Sequence, residues 1–192
     1  MKKSCLLAIA TLAAALIGAP ASAEVGQSES VDTHCIATVT ADGGASPLTC
    51  YDDFRALVRE LTGREPRSDL TSRNPTDRDL NPHLYEEGGA GAAGATQAAA
   101  TVIGISYEDT GFGGSSWVHS VGSGGCTSTT GYSISSLSGT SWDNRISSAL
   151  TYANCQAQYW EYANFGGALK LCGCSSMQAM NDKTSSIRWR LP

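Results

Sequence analysis

Asn181-Asp182-Lys183-Thr184-Ser185-Ser186, close to the C-terminus, is echoed upstream by Asp143-Asn144-Arg145-Ile146-Ser147-Ser148. Each run has two Asn/Asp side chains, two variable positions and two small hydroxyl residues. A second matched pattern precedes each. Tyr107-Glu108-Asp109-Thr110-Gly111-Phe112-Gly113-Gly114 stands before the first, and Tyr159-Trp160-Glu161-Tyr162-Ala163-Asn164-Phe165-Gly166-Gly167 before the second. The Glu, the Phe and the last Gly keep one spacing in both copies. The C-terminal half is therefore a degenerate tandem repeat.

From Thr101 onward the sequence reads as short strands. Ile103, Ile105 and Tyr107 alternate with smaller residues, as do Ile187, Trp189 and Leu191, and Gly- and Ser-rich turns separate the rest. That spacing predicts an all-β sandwich with room for two four-stranded Greek keys. The first repeat is longer than the second, and the surplus, around Ser120 to Gly139, reads as a loop stapled by Cys126. Gly114 and Gly167 can take positive φ where a side chain would clash, letting each hairpin fold over. Tyr107 with Phe112, and Tyr159 with Phe165, are expected to pack across those folds.

These paired elements resemble the βγ-crystallin family, in particular its calcium-binding microbial members. There an aromatic residue, Glu, Phe and Gly mark a hairpin, and Asn/Asp-Asn/Asp-x-x-Ser/Thr-Ser follows. Both occur twice, in order, over residues 101–192. The resemblance implies a double Greek-key sandwich, with repeat one over 101–154 and repeat two over 155–192. It also implies two Ca2+ sites shared between the repeats. The second Asn/Asp position, Asn144 or Asp182, would give a side-chain oxygen. Arg145 or Lys183 would give a backbone carbonyl, Ser147 or Ser185 a hydroxyl, and Glu108 or Glu161 a hairpin carbonyl. Ser148 and Ser186 would bond within the turn. Oxygen-only ligands at flexible angles suit a hard cation of this size, and backbone ligation tolerates the basic side chains of Arg145 and Lys183. Asp182 carries a charge that Asn144 does not, so its site is expected to be the tighter.

The chain begins with the marks of a signal peptide over residues 1–23. Lys2 and Lys3 precede an apolar stretch from Leu6 to Ile17, and Ala21-Ser22-Ala23 offers a small-residue cleavage site. The apolar stretch is too short to span a bilayer and none longer follows, so the protein is expected to be secreted. Removing Lys2 and Lys3 from the 13 basic residues leaves 11 against 18 acidic ones. A net charge near −7 argues against nucleic acid and anionic membrane surfaces as partners.

Beyond Cys5 there are six cysteines, Cys35, Cys50, Cys126, Cys155, Cys172 and Cys174. An even number in an exported chain reads as disulfides, with fifteen pairings open. Cys35 with Cys50 is the first expectation, since each lies beside its own predicted element across a turn, and Cys126 with Cys155 the second. Cys172-Gly173-Cys174 could close on itself or pair elsewhere.

Residues 24–63 read as a small disulfide-held strand-helix segment. His34 to Thr40 alternates and is rich in β-branched residues, which predicts a strand. A turn at Asp42-Gly43-Gly44 and Pro47 leads to a helix expected from about Cys50 to Thr62. Thr49 is its N-cap, Asp52 and Asp53 fall in its first turn, and Gly63 ends it. Phe54, Leu57, Val58 and Leu61 make one apolar stripe. An appendage, a propeptide and a cap on the crystallin-like domain all remain open for this module. Residues 64–100 read as a Pro/Gly/Ala-rich flexible linker.

Other motifs fail for lack of context. Gly89-x-Gly91-x-x-Gly94 has no strand before it, and Asp109-Thr110-Gly111 has no second copy to share a proton with. His34, His83 and His119 lack metal spacing, no Gly-x-Ser-x-Gly elbow exists, and Cys172-x-Cys174 has no second pair for zinc. No catalytic constellation emerges, so a non-enzymatic calcium-binding protein is the first expectation. The alternatives are a secreted metalloproteinase inhibitor of the same fold, using the loop around Ser120 to Gly139 against an extracellular protease, or a secreted toxin.

Overall fold

A computed structural model describes residues 31–40, 42–85 and 100–192. The expected signal peptide, residues 24–30 and the Gly/Ala-rich stretch 86–99 lie outside the described residues. Within them no helix is long and apolar enough to cross a membrane.

The repeats build two facing sheets. The first repeat supplies β3 (Thr101–Tyr107), β4 (Ser116–Val121), β5 (Tyr132–Ile134) and β6 (Ser148–Thr151). The second supplies β7 (Gln156–Tyr162), β8 (Gly166–Cys172) and β9 (Ser186–Arg190). The two repeats exchange strands. β5 leaves its own repeat to pair with β9 in the sheet β5-β9-β7-β8. In return Cys174 bridges Ala149 on β6, at the edge of the other sheet. Each sheet thus holds three strands of one repeat and a strand or bridge of the other, which is the double Greek-key sandwich of a βγ-crystallin-like domain.

The inner faces meet in a core that includes Ile103, Trp117, Leu137, Ile146, Tyr159, Met177, Ile187 and Trp189. The stretch expected to be a loop contributes β5 and the fully buried Leu137 to this layer, so only its first part loops out. In β3 a register shift between Val102 and Gly104 changes the side-chain parity. Ile103 faces the inner core, whereas Ile105 and Tyr107 face outward, and the expected common face is split by that irregularity.

The outward residues are not left to water. β1 (His34–Thr38) pairs in parallel with β4, and β2 (Thr49–Tyr51) pairs antiparallel with β1, extending the first sheet to β2-β1-β4-β3-β6. Helix α1 (Phe54–Thr62) then lays Phe54, Leu57 and Val58 over Val102, Ile105, Tyr107 and Val118. The helix starts later than expected. Thr49 and Cys50 belong to the strand that meets Cys35 across the sheet, and the cap is Asp53, whose side chain accepts from the Arg55 N–H at 3.0 Å. Gly63 closes the helix at φ 67°, as expected, and donates to the Arg59 carbonyl.

The linker expectation gives way over residues 64–85, which are ordered against the same face. Leu70 and Leu80 are buried there, and α2 (Asp77–Leu80) begins with a capping box between Thr76 and Asp79. Asn81 is fully buried. Its Oδ1 accepts from the Val102 N–H at 2.7 Å, and its Nδ2 donates to the Val102 carbonyl at 2.9 Å. The Tyr152 hydroxyl donates to the Pro75 carbonyl. The N-terminal module thus packs over the outer face of the first sheet.

Three disulfides close Cys35–Cys50, Cys126–Cys155 and Cys172–Cys174. The first two are the expected pairs, and the third takes the self-closing option.

Candidate metal centre

Each repeated run crosses the other. The Asn144 N–H donates to the Thr184 carbonyl at 3.0 Å, and the Asp182 N–H to the Ile146 carbonyl at 3.2 Å. Asn144 and Asp182 both sit at left-handed φ, 58° and 54°, where Asn and Asp are the non-glycine residues best tolerated. Their place in the motif therefore has a backbone reason before any ligand is considered.

The last serine of each run ties it to the hairpin of its own repeat. The Ser148 hydroxyl donates to the Asp109 carbonyl at 2.6 Å and accepts from the Phe112 N–H at 3.0 Å. Ser186 repeats this with the Tyr162 carbonyl at 2.7 Å and the Phe165 N–H at 3.1 Å. These serines bond to the hairpin rather than within their own turn. The hairpins hold because Gly114 and Gly167 lie at φ 69° and 76°, with no room for a Cβ. Tyr107 packs edge-on against Phe112 at 5.6 Å. Phe165 instead lies under the guanidinium of Arg188 at 3.8 Å. The counterpart of Tyr107 is Trp160 and not Tyr159, since the Ser147 N–H donates to the Tyr107 carbonyl and the Ser185 N–H to that of Trp160. Tyr159 points into the core, where its hydroxyl lies 3.2 Å from Ser106 Oγ.

This scaffold brings oxygens of opposite repeats together. The Ser147 hydroxyl donates to Asp182 Oδ1 at 3.0 Å. An open cleft of about 760 Å³ there is lined by Glu108, Asp109, Thr110, Asn144, Arg145, Ser147, Asn181 and Asp182. Asn181 Nδ2 donates to Asp182 Oδ2 at 2.7 Å, while Asn181 Oδ1 is buried without a hydrogen-bond partner. On the opposite side the Ser185 hydroxyl donates to Asp143 Oδ1 at 2.6 Å. The acid facing Ser185 is thus Asp143, the first residue of its run, while Asn144, the second-position residue named from the sequence, lines the cleft of Ser147 and Asp182. The signal of Asp143 was present as the carboxylate of an Asp-Asn pair, but which repeat's serine it meets is a matter of tertiary geometry.

The flanking charges differ between the two sides. The Arg145 guanidinium bonds the Glu108 carboxylate and donates to the Ser141 carbonyl at 3.1 Å. Glu161 Oε2 accepts from the Ala168 N–H at 3.2 Å, and Lys183 is exposed. Among the described residues no three His, Cys, Asp or Glu side chains cluster as metal ligands do. Hydroxyls, amide and backbone oxygens with one run carboxylate per side, and an unpartnered buried acceptor beside Asp182, fit a hard cation such as calcium.

The chain resembles βγ-crystallin domains of known structure. No family model matches the chain, and no curated protein matches it. Among solved structures, the chain is 29% identical to a βγ-crystallin domain from Flavobacterium johnsoniae, over 46% of this chain and 94% of that one, at a TM-score of 0.34. A βγ-crystallin from an archaeon is 25% identical over 45% of this chain and 95% of that one, at 0.33. A domain from Clostridium beijerinckii is 22% identical over 46% and 97%, at 0.34.

Proposed function

We propose that the protein is a secreted, non-enzymatic calcium-binding βγ-crystallin-like protein in which two ions held between the repeats stabilise the fold. The observation that carries this reading is the meeting of Ser147 from one repeat with Asp182 from the other at 3.0 Å in an oxygen-lined cleft. The first ion would take Asp182, the Ser147 hydroxyl and backbone oxygens of the Glu108 hairpin and the Arg145 turn. The second would take Asp143, the Ser185 hydroxyl and the corresponding backbone of Glu161 and Lys183. Calcium bound there would exchange a hydroxyl–carboxylate hydrogen bond for an ionic link across the repeats. With few formal charges per site, affinities on the order of 10⁻⁵ to 10⁻³ M are expected, the range of extracellular modules. Three disulfides accord with an oxidising environment.

The test is calcium titration of chelator-stripped protein with melting followed in parallel. A ligand bound only by the native state at a hundred times its Kd adds about 2.7 kcal/mol. Binding heat with a raised melting temperature supports the reading, and neither effect in millimolar calcium rejects it.

A further inference from the structure

The outer face of the first sheet is covered by the N-terminal module, and the outer face of the second carries an unneutralised pair of cations. Arg188 and Arg190 are two apart on β9 and so point to one side, roughly 7 Å apart along the strand. Among the described residues no ion pair or side-chain hydrogen bond engages either one, and burial with the like charge of Arg190 pushes Arg188 below the usual guanidinium range. The two guanidinium groups, like-charged neighbours, repel each other. The guanidinium carbon of Arg188 lies over the Phe165 ring, 3.8 Å from its centre, a cation–π contact that positions it.

Uncharged polar groups flank the pair in register. Gln158 pairs with Arg188 and Gln156 with Arg190 on one side, and Ser133 pairs with Arg188 on the other. A groove of about 540 Å³ runs past both arginines, walled by Thr127, Thr130 and Ser133. That volume lies within the range of ligand sites. The wall is rigid. Cys126 anchors its start through the bond to Cys155, and Thr127 Oγ1 accepts from the Thr129 and Thr130 N–H groups at 3.3 and 3.0 Å.

We propose that this groove and the strand beside it bind an acidic polysaccharide, with Arg188 and Arg190 engaging successive carboxylate or sulfate groups, Ser133 engaging sugar hydroxyls within the groove, and Gln156 and Gln158 engaging them from β7, outside its lining. The shared chemistry is a planar or tetrahedral oxyanion on a hydroxylated chain, which a guanidinium fork and neutral amides match together. Nucleic acid fits less well, because its charge density calls for many cations and this face has two on an acidic protein. The groove's lining shares no residue with the cleft of Ser147 and Asp182.

Binding of the full chain to polygalacturonate, dextran sulfate, neutral dextran and oligothymidine, in low salt with chelator, tests the assignment. The chelator removes calcium bridging between polymer and the metal clefts. At least one acidic polysaccharide is expected to bind, dextran is not, and Arg188→Gln/Arg190→Gln should lose tenfold or more with an unchanged melting temperature. Competition by sulfate rather than acetate identifies the sulfated source, and the reverse the carboxylated one. Gln158→Glu, which sets an acid beside Arg188 without touching the core, should weaken binding likewise and decides the matter if the double variant fails to fold. Undiminished binding by these variants, no binding to either acidic polymer, or equally tight oligothymidine binding overturns the proposal.

Discussion

The Ser147 hydroxyl and the Asp182 carboxylate, 35 residues apart and on opposite repeats, are joined by a 3.0 Å hydrogen bond. Ser185 and Asp143 are joined in the same sense at 2.6 Å. Each repeat therefore completes the other's oxygen cluster, and neither cluster exists in one repeat alone.

Swapping a single acid should affect one cluster and spare the other. Removing a carboxylate charge near the protein surface changes a divalent ion's binding by about 1–2 kcal/mol, roughly tenfold. Asp182→Asn is expected to weaken one calcium site by about that factor, and Asp143→Asn the other, in separate titrations. The expectation that the Asp182 site is the tighter rested on Asn144 being its counterpart. With Asp143 facing Ser185, that asymmetry loses its basis.

The N-terminal cap hangs on Asn81. Asn81→Ala strands the Val102 N–H and carbonyl in a buried setting, and each orphaned group costs about 1–3 kcal/mol. A loss of about 2–4 kcal/mol in urea unfolding is expected, whereas Asn74→Ala at an exposed turn should cost far less.

Acid should destabilise the core through His119. Its ring is fully buried between Trp117 and Trp189, with Nε2 2.9 Å from Ser106 Oγ, and burial pushes its pKa down to about 3. Unfolded, a histidine titrates near 6.5, so between those values the unfolded chain binds a proton that the native one does not. Stability is full above about pH 6.5 and falls on acidification by about 1.4 kcal/mol per pH unit. His34, also lowered by burial, adds in the same direction. Urea unfolding at pH 7.5, 6 and 5 should show this slope, and a His119→Phe variant should flatten it.

The disulfides should rank by the chain they close. Their partners are 2, 15 and 29 residues apart. Loop-closure entropy gives about 3 kcal/mol for a fifteen-residue loop and little more for one twice as long. Replacing both cysteines by serine should cost least at Cys172–Cys174, with melting temperature as the readout.

What the sequence disclosed and what it hid divide along one line. The paired motifs were legible because local backbone demands choose their residues: glycine at Gly114 and Gly167, Asn or Asp at the left-handed Asn144 and Asp182. The stripe on α1 was legible from its period. Thr49-Cys50-Tyr51 was misread because three residues carry no period, and only pairing with Cys35 makes them a strand. Residues 64–85 looked like linker because Leu70, Leu80 and Asn81 are anchored singly by distant partners. The meeting of Asp143 with Ser185 is a product of strand exchange, which no spacing records.

The central claim is a divalent ion held between the two runs, and isothermal titration of chelator-stripped full chain with calcium tests it most directly. Two binding events per chain are expected, with Kd on the order of 10⁻⁵ to 10⁻³ M, one of them weakened about tenfold in Asp182→Asn. Absence of binding heat up to several millimolar calcium, or two undiminished events in Asp182→Asn, would contradict the account.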